Sequence, residues 1–299
     1  MHSGLSGRIL TACEPRVRGS AVAFMRFVKL LVLVSVCAAL TPHVVSAQSA
    51  CTSPSPDCVV VGEWDLSVSV GIGERSNPIA RGKDIPLVLL PQLSYYGKRF
   101  FLDNLELGFT LHESAAHTLN LVATPGYDRV FFIRDDPQNY FVVGAGSSLG
   151  TPSPEVQEAF VRSRSTTYFV GPEWLFNVGN VTGQLSALYE ATGRHKGQEM
   201  RGAIAIPVLQ ATSSLVASVG FTWKSAETVD YYYGVDQFYR GPSAFSLFVK
   251  LGFTRTLNER WSINAFIHHE RLDDAISDSP IVVRDSVTTA FAGVVFKVF

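Results

Sequence analysis

The sequence predicts an all-β fold: an antiparallel transmembrane β-barrel of the outer-membrane type, with about 12 strands between residues 63 and 299. Three observations predict this class: an N-terminal export signal, long segments of alternating apolar and polar residues, and connections that alternate between short turns and long loops. Charged residues make up only 17% of the chain. After residue 47 there is no run of about 18 apolar residues that could form a membrane helix.

Residues 25–47 have the three-part organisation of a secretory signal. Arg26 and Lys29 form a positive region, and residues 30–40 form an apolar run that is too short to span a bilayer. A Val-Ser-Ala sequence ending at Ala47 supplies the small residues that signal peptidase accepts. We therefore expect export across the inner membrane, with cleavage after Ala47.

The segments on either side of this signal have different interpretations. Residues 1–24 precede it and are interpreted as an upstream extension, with Met25 as the true start. Residues 48–62 are rich in Ser, Pro and Cys and are predicted to be a periplasmic linker. Cys51 and Cys58 are the cysteines left after cleavage, and an even count in an oxidising compartment predicts one small disulfide loop.

Strict alternation defines the predicted strands of the barrel. In residues 64–73 apolar side chains alternate with polar or small ones, so Val68 is expected to face lipid and Ser69 the lumen. Most segments exceed the five or six residues that are usual in soluble strands, which favours a membrane barrel over a soluble sandwich. The predicted strands are 63–74, 84–96, 100–112, 117–125, 165–178, 181–194, 199–210, 214–224, 243–256, 260–272 and 286–299.

A bacterial single-chain barrel has an even number of strands, and eleven segments are clear. When strand directions are followed from both ends, strand 117–125 descends to the periplasm and one ascending strand is missing after it. Residues 129–146 are expected to supply that strand. Residues 147–164 then form an outer loop, with a short helix at 155–164.

The chain stops at Phe299, and a terminal aromatic residue is the usual last position of barrels inserted by the outer-membrane assembly machinery. Counting back in steps of two, Val295 and Phe291 are expected to share the apolar face of Phe299. Lys297 interrupts that pattern.

Six short motifs, in a fixed order, carry a family resemblance. They are Gly82-Lys83-Asp84, Leu90-Pro91-Gln92-Leu93-Ser94-Tyr95, Tyr231-Tyr232-Tyr233-Gly234-Val235, Trp261-Ser262-Ile263, Arg271-Leu272-Asp273-Asp274-Ala275 and Asp278-Ser279-Pro280-Ile281-Val282. On these motifs the chain resembles the MipA/OmpV family, whose namesake is a scaffolding protein for a murein lytic transglycosylase. The loop residues singled out by the resemblance are Tyr232, Tyr233, Gly234, Val235, Asp278, Ser279 and Pro280.

No catalytic residue is predicted, although two patterns were weighed. Residues 146–150 match the G-x-S-x-G pattern, but that motif requires an α/β sheet, and here the surroundings are all-β. A barrel lipid hydrolase would need a serine and a histidine within hydrogen-bond reach, and the candidates are Ser279 with His268 or His269. No recognised motif joins these residues, so the chain is expected to be no enzyme.

Metal, cofactor and nucleic-acid sites are also not expected. The His112–His117 pair and the loop acids Asp273, Asp274 and Asp278 offer too few ligands for a metal ion. No clustered basic surface suggests nucleic acid. Residues 231–233, three consecutive tyrosines, are interpreted as an aromatic girdle at the membrane surface, with a contact patch as the alternative.

Three functions remain open at this stage. The resemblance implies an outer-membrane scaffold for murein hydrolases and synthases, or a surface-exposed envelope protein. A pore for small solutes is the alternative, because the polar strand faces could line a wet lumen. A barrel lipid hydrolase is the weaker alternative. The expected partners are outer-membrane lipid, the barrel-assembly machinery and, from the resemblance, murein-remodelling proteins.

The export signal gives the first testable prediction. The mature protein should begin at Gln48 and should be found in the outer-membrane fraction. N-terminal sequencing of the protein purified from that fraction measures this directly. Recovery of a chain that still carries residues 1–47 would contradict it.

Overall fold

The computed structural model describes residues 61–132, 164–210 and 212–299, which form twelve β-strands. The strands are β1 Trp64–Arg75, β2 Ile85–Tyr96, β3 Phe100–Asp103, β4 Glu106–Glu113, β5 His117–Pro125, β6 Tyr168–Val178, β7 Val181–Glu190, β8 Gln198–Gln210, β9 Ser213–Lys224, β10 Ala244–Thr256, β11 Trp261–Arg271 and β12 Ser286–Lys297. The described connections contain a 3-10 helix at Tyr127–Phe131, helix α1 at Ala226–Tyr233 and helix α2 at Asp274–Ser277. Among these residues no helix is both long and apolar enough to cross a membrane.

The strands form a closed antiparallel barrel. Each strand pairs with its neighbours in sequence, and β1 pairs with β12 to close the ring. Closure matters because a bilayer offers no water to the unpaired backbone groups at a sheet edge. Long loops lie at one end, here called the long-loop end, and tight turns at the other, the short-turn end. The predicted fold class and strand number are confirmed.

One strand lies elsewhere than predicted. The segment expected as a single strand at 100–112 is a hairpin of β3 and β4, which turns at Asn104, a residue with a φ of 54°. Asparagine is one of the few residues that tolerate this left-handed backbone. β5 pairs directly with β6 along its length, so no strand lies between them. The strand expected within residues 129–146 does not lie between β5 and β6: residues Tyr127–Phe131 form a 3-10 helix, and residues 133–146 lie outside the described residues. β5 runs in the same direction as β1.

The two faces of each strand have different environments, as the alternation predicts. On β1, Val70 and Ile72 are exposed on the outer wall, whereas Ser69 is buried on the lumen side. On β8, Ile204 is exposed on the outer wall. Apolar side chains that would be misplaced on a soluble surface are therefore in contact with lipid in a membrane-spanning wall.

Aromatic side chains ring the outer wall near the short-turn end. Trp64 packs against Tyr95 with ring centroids 5.0 Å apart, and Trp261 packs against Phe296 at 4.8 Å. Such rings lie at the membrane–water boundary because they combine an apolar body with polar atoms. This girdle comes from strand residues and not from the tyrosines at 231–233.

The terminal strand has the opposite facing to that expected. Phe291 is buried in the lumen, and Lys297 points the same way and pairs with Asp65 at 2.5 Å. The outer wall is formed by the even-numbered residues, including Val294, Phe296 and Val298. The expectation that Phe291 and Val295 continue an outward face from Phe299 is therefore wrong, and Lys297 does not interrupt the outer wall.

Among the described residues, the half of β2 nearer the long-loop end pairs with a strand on one side only. β1 pairs along this stretch, whereas β3 reaches no further than Ser94. Pro86 and Pro91 lie within it. Proline lacks a backbone N–H and is found at sheet edges, so the sequence of β2 suits a strand with a free side.

The outer wall can be tested with a charge at mid-depth in β8. Ile204→Arg places a cation in lipid and should destabilise the folded barrel by about 2–4 kcal/mol. Ala203→Arg is the matched control, because its side chain faces the lumen beside Gln184 and can remain hydrated. Urea unfolding of both variants in lipid vesicles measures the difference. Equal losses for the two variants would contradict the assigned facing.

Candidate functional site: the loop cap and the lumen beneath it

Four long connections pack together at the long-loop end into one hydrophobic cluster, here called the loop cap. These connections are β1–β2, β5–β6, β9–β10 and β11–β12. The buried side chains of the loop cap are Ile79, Val130, Phe131, Val229, Tyr232, Tyr233, Val235, Leu272, Ala275, Ile276, Ile281 and Val282. Loops normally expose their polar backbones to water, so a shared buried core indicates that these loops fold as a unit.

Two tyrosines of α1 are the largest side chains in the loop cap. Tyr232 and Tyr233 are 0% and 1% exposed, so the interpretation as a membrane girdle is wrong. Their hydroxyl groups are satisfied, since that of Tyr232 bonds to Thr167 Oγ1 at 2.7 Å and that of Tyr233 donates to Asp128 at 2.8 Å. Burial raises the pKa of both tyrosines, which therefore stay protonated at neutral pH.

The loop residues singled out by the family resemblance occupy this cluster. The Ser279 hydroxyl donates to the carbonyl oxygen of Tyr233 at 2.6 Å, which joins the connection after β11 to α1. Val235 is buried beside them, and a side chain at Gly234 would collide with the carbonyl of Asp230. Asp278 and Pro280 remain exposed. The motif residues thus meet in space although about 45 residues separate them.

Hydrogen bonds and an ion pair connect loops from different sides of the barrel mouth. Asp128, in the 3-10 helix after β5, accepts from Lys224 Nζ at the end of β9 at 2.6 Å and from the Tyr233 hydroxyl. β5 and β9 are four strands apart around the ring. Asn77, after β1, donates to the carbonyl oxygen of Phe131 at 3.0 Å, and β1 is four strands from β5 the other way. Connections from distant parts of the wall therefore meet above the lumen.

Two arginines attach to the loop cap through both charge and ring contacts. Arg164 Nε donates to the carbonyl of Tyr232 at 2.5 Å, and its guanidinium lies 4.3 Å from the ring centroid of Phe132. Arg75, at the end of β1, lies 4.7 Å from the ring centroid of Phe131. Guanidinium groups stack on aromatic faces while donating in their own plane, so these residues join the wall and the loops.

A fifth loop, residues 191–197, packs against the tyrosines from the side. The Glu190 carboxylate accepts backbone N–H groups from Thr192, Arg194 and neighbouring residues of this loop, which fixes its shape. The ring of His195 packs against Tyr231 with centroids 4.9 Å apart. Burial lowers the pKa of His195, so the neutral imidazole is favoured in the folded loop.

Beneath the loop cap the lumen carries charged side chains. Arg201 of β8 pairs with Glu199 at 2.7 Å and lies 4.7 Å from the ring centroid of Tyr127. Glu173 of β6 accepts from Asn120 at 2.9 Å and from Gln184 at 2.5 Å. These groups belong to inward-facing positions of neighbouring strands.

The catalytic and metal candidates are not assembled into a site. His268 faces the lumen beside Phe248, whereas His269 is on the outer wall and contacts Thr288 Oγ1 at 2.8 Å. Consecutive strand residues point to opposite faces, so these histidines cannot act together. Ser279 is engaged with the Tyr233 carbonyl. Within the described ranges, no three His, Cys, Asp or Glu side chains could hold a metal ion.

Several expected features lie outside the described residues. They are the Cys51–Cys58 pair, the G-x-S-x-G pattern at 146–150 and the helix expected at 155–164. Conversely, the sequence did not single out Asp128 or Lys224, whereas Glu190 was expected only as one of the polar residues lining the lumen. Lys224 could have been found, because it is a cation on the inward register of an apolar strand near the long-loop end. Asp128 gave no such signal, since it lies in an irregular connection.

Comparison with known proteins gives consistent findings. A family model described as MltA-interacting protein MipA matches residues 66–298. The chain is 22% identical over 242 residues to a protein of Escherichia coli (strain K12) named as outer membrane protein YiaT, covering 78% of this chain and 91% of that protein. It is 21% identical over 257 residues to MltA-interacting protein of the same strain, covering 80% and 92%. A solved structure of the NanC porin is similar with a TM-score of 0.42 and 12% identity, over 78% of this chain and 100% of that chain.

The buried contact beneath the loop cap yields a prediction. Asp128→Asn leaves Lys224 charged and largely buried, and opening of the loop cap should become easier by about 3–5 kcal/mol. Glu199 and Glu270 also attract Lys224 and partly compensate for the loss of Asp128. The expected change in opening free energy therefore lies at the lower end of this range. Hydrogen exchange of the α1 amides measures the opening free energy.

The matched control is a second carboxylate at the same end of the barrel. Asp84 pairs with Arg284 at 2.5 Å, but both side chains are partly exposed. Although desolvation opposes it, hydrogen bonds from Arg284 and the Asn77 backbone lower the pKa of Asp84. Asp84→Asn should lower the opening free energy of the loop cap by only about 0–1 kcal/mol, because exposed ion pairs contribute little to stability. Equal effects of the two substitutions on α1 would refute the special role of Asp128.

Proposed function

Because this chain belongs to the MipA family, we propose that it is a non-enzymatic outer-membrane scaffold that holds murein-remodelling proteins at the inner surface of that membrane. The main observation in support of this proposal is the loop cap, in which buried side chains from four connections meet at one mouth of the barrel. A barrel closed in this way is suited to anchoring a partner and poorly suited to passing solutes. A relative carries the name MltA-interacting protein, which supports the choice of partner.

The orientation follows from the two kinds of connection. In bacterial barrels the short turns face the periplasm and the long loops face outwards. The short-turn end would then face murein, and the loop cap would be displayed on the cell surface. This arrangement also accommodates the reading as a surface-exposed envelope protein, because the loop cap would be its exposed part. Export with a cleaved signal at residues 25–47 belongs to the same proposal.

The second candidate is a pore for small solutes. The observation in its favour is the charged lumen, where Lys250 projects from β10 and lies 5.6 Å from the ring centroid of Phe266. Charged side chains on an inner wall are typical of barrels that hold water. The pore requires the loop cap to open, whereas the scaffold does not.

A lipid hydrolase is the least supported candidate. It would need a serine within reach of a histidine, and Ser279 instead donates to a backbone carbonyl in the loop cap. His268 and His269 point to opposite sides of β11.

Conductance separates the scaffold from the pore. The mature chain in planar bilayers should give no steady single-channel current, because the loop cap covers one mouth. Asp128→Asn should give intermittent current, since it weakens the contact between Asp128 and Lys224. A stable, open conductance of the unchanged protein would reject the scaffold reading in favour of the pore.

Crosslinking tests the partner and its side. A photoreactive amino acid is placed at Lys98, in the turn after β2, or at Arg194, in the loop after β7, and both positions are exposed. A purified murein lytic transglycosylase should crosslink from position 98, and position 194 is the control from the opposite end. Crosslinking from 194 alone, or no co-purification with the unchanged protein, would contradict the proposal.

A further inference from the structure

The inner wall formed by β3 to β8 holds more acids than bases. Its carboxylates are those of Asp103, Glu106, Glu113, Glu173, Glu190 and Glu199, and the last turn of the wall uses Glu190 to bind the backbone of residues 192–196. Among the described inward-facing residues of these strands, Arg201 is the one cation, and it is engaged with Glu199 at 2.7 Å. Glu106 and Glu173 repel each other, and Arg201 attracts Glu106 as well as Glu199, so this one cation is shared. Part of the negative charge on this wall therefore has no counter-charge from the described chain.

The opposite wall is different, because its acids are matched. Asp65 of β1 pairs with Lys297 of β12 at 2.5 Å. Glu270 is attracted by Lys224 and Arg75. The excess of negative charge is thus a property of the β3–β8 wall and not of the whole lumen.

Asn120 adds an independent observation on the same wall. Its side chain is 2% exposed, and its Nδ2 donates to Glu173 Oε1 at 2.9 Å. This contact fixes the orientation of the amide, because an ionised carboxylate can only accept. Asn120 Oδ1 has no hydrogen-bond partner. A buried acceptor without a donor is costly, so this atom suits a ligand that donates.

The carboxylates of Glu106 and Glu173 are separated along the wall by an apolar patch. Glu106 precedes the Leu107↔Ala123 pair and lies beside Thr124, whereas Glu173 pairs with Asn120, four residues away along β5. Their backbones are therefore about 13 Å apart along the strand direction, and the side chains shorten this distance. Between the two levels lies one apolar cluster of Phe101, Val122, Phe169 and Leu188.

We propose that this wall binds a linear aliphatic diamine. One ammonium group would contact the Glu106 carboxylate, and the other would donate to Glu173 and to Asn120 Oδ1. The methylene chain would lie along the apolar cluster at Phe101 and Val122. Each polar site presents a carboxylate acceptor, and an ammonium group is a compact cation with three donors.

Access is available from the short-turn end. Gln184, which donates to Glu173, is exposed, so the lumen reaches solvent at this level. The loop cap lies at the other mouth. A metal ion fits less well, because the described residues hold no group of three or more His, Cys, Asp or Glu side chains suited to one.

Calorimetry on the detergent-solubilised mature chain tests the proposal, with 1,4-diaminobutane as the probe. Butylamine, which has one ammonium group and the same carbon chain, should bind at least about tenfold more weakly. Magnesium chloride at the same ionic strength should not displace the diamine. Equal binding of the two amines, displacement by magnesium, or no binding at all would overturn it.

Variants locate the site. Glu106→Gln and Glu173→Gln should each reduce diamine affinity about tenfold or more, because each removes a charge-assisted contact. Glu113→Gln, at the exposed end of β4, is the matched control and should bind like the unchanged protein. The gel mobility shift on heating reports whether each variant is folded. If Glu173→Gln does not fold, Glu106→Gln decides alone, and unchanged affinity in folded Glu106→Gln would refute the site.

Discussion

The structure depends on one constraint: backbone polar groups inside a bilayer have no water to bind, so each strand must bond to neighbours. This is why β1 pairs with β12 and why pairing resumes beyond each of the register shifts in β1–β2, β4–β5 and β8–β9. It also explains the apolar outer face, since alternate side chains meet lipid once the backbone is satisfied. Among the described residues, the half of β2 nearer the long-loop end is paired on one side only, and Pro86 and Pro91, which lack a backbone N–H, lie within it.

The long-loop end lies in water, and there burial of apolar side chains, rather than hydrogen bonding between strands, holds the loops together. The loop cap behaves there as a small folded core attached to the barrel. Its tyrosines are buried because their rings fill space between loops, and their hydroxyl groups need the partners that Thr167 and Asp128 provide. The contact between Asp128 and Lys224 joins the loop cap to the barrel wall, since Lys224 is the last residue of β9 and Asp128 belongs to the connection after β5.

Alternation of apolar and polar residues predicted the strands and most of their faces. The contacts made by the loops were mostly not predicted. Strand faces could be assigned from alternation alone, and an even strand number followed from barrel closure. The hairpin at Asn104 was missed because Phe100, Phe101 and Leu102 are all apolar. They hide the change of the outward face from even positions in β3 to odd positions in β4. The facing of Lys297 was missed because its partner, Asp65, belongs to the first strand. The burial of Tyr232 and Tyr233 depends on contacts between distant loops, which no local pattern contains.

The two ends of this barrel therefore have separate physical roles. The loop cap packs across the long-loop mouth through buried contacts, so entry of a ligand beside the short turns would leave these contacts intact. A scaffold partner would use the rim of those turns, whereas a diamine would use the acidic wall inside. The two sites share an end but no residues, because Lys98 lies in a turn and Glu106 lies deep on β4. Neither site supports the backbone ladder, so the fold tolerates change in both, and each can be altered while the other is left in place.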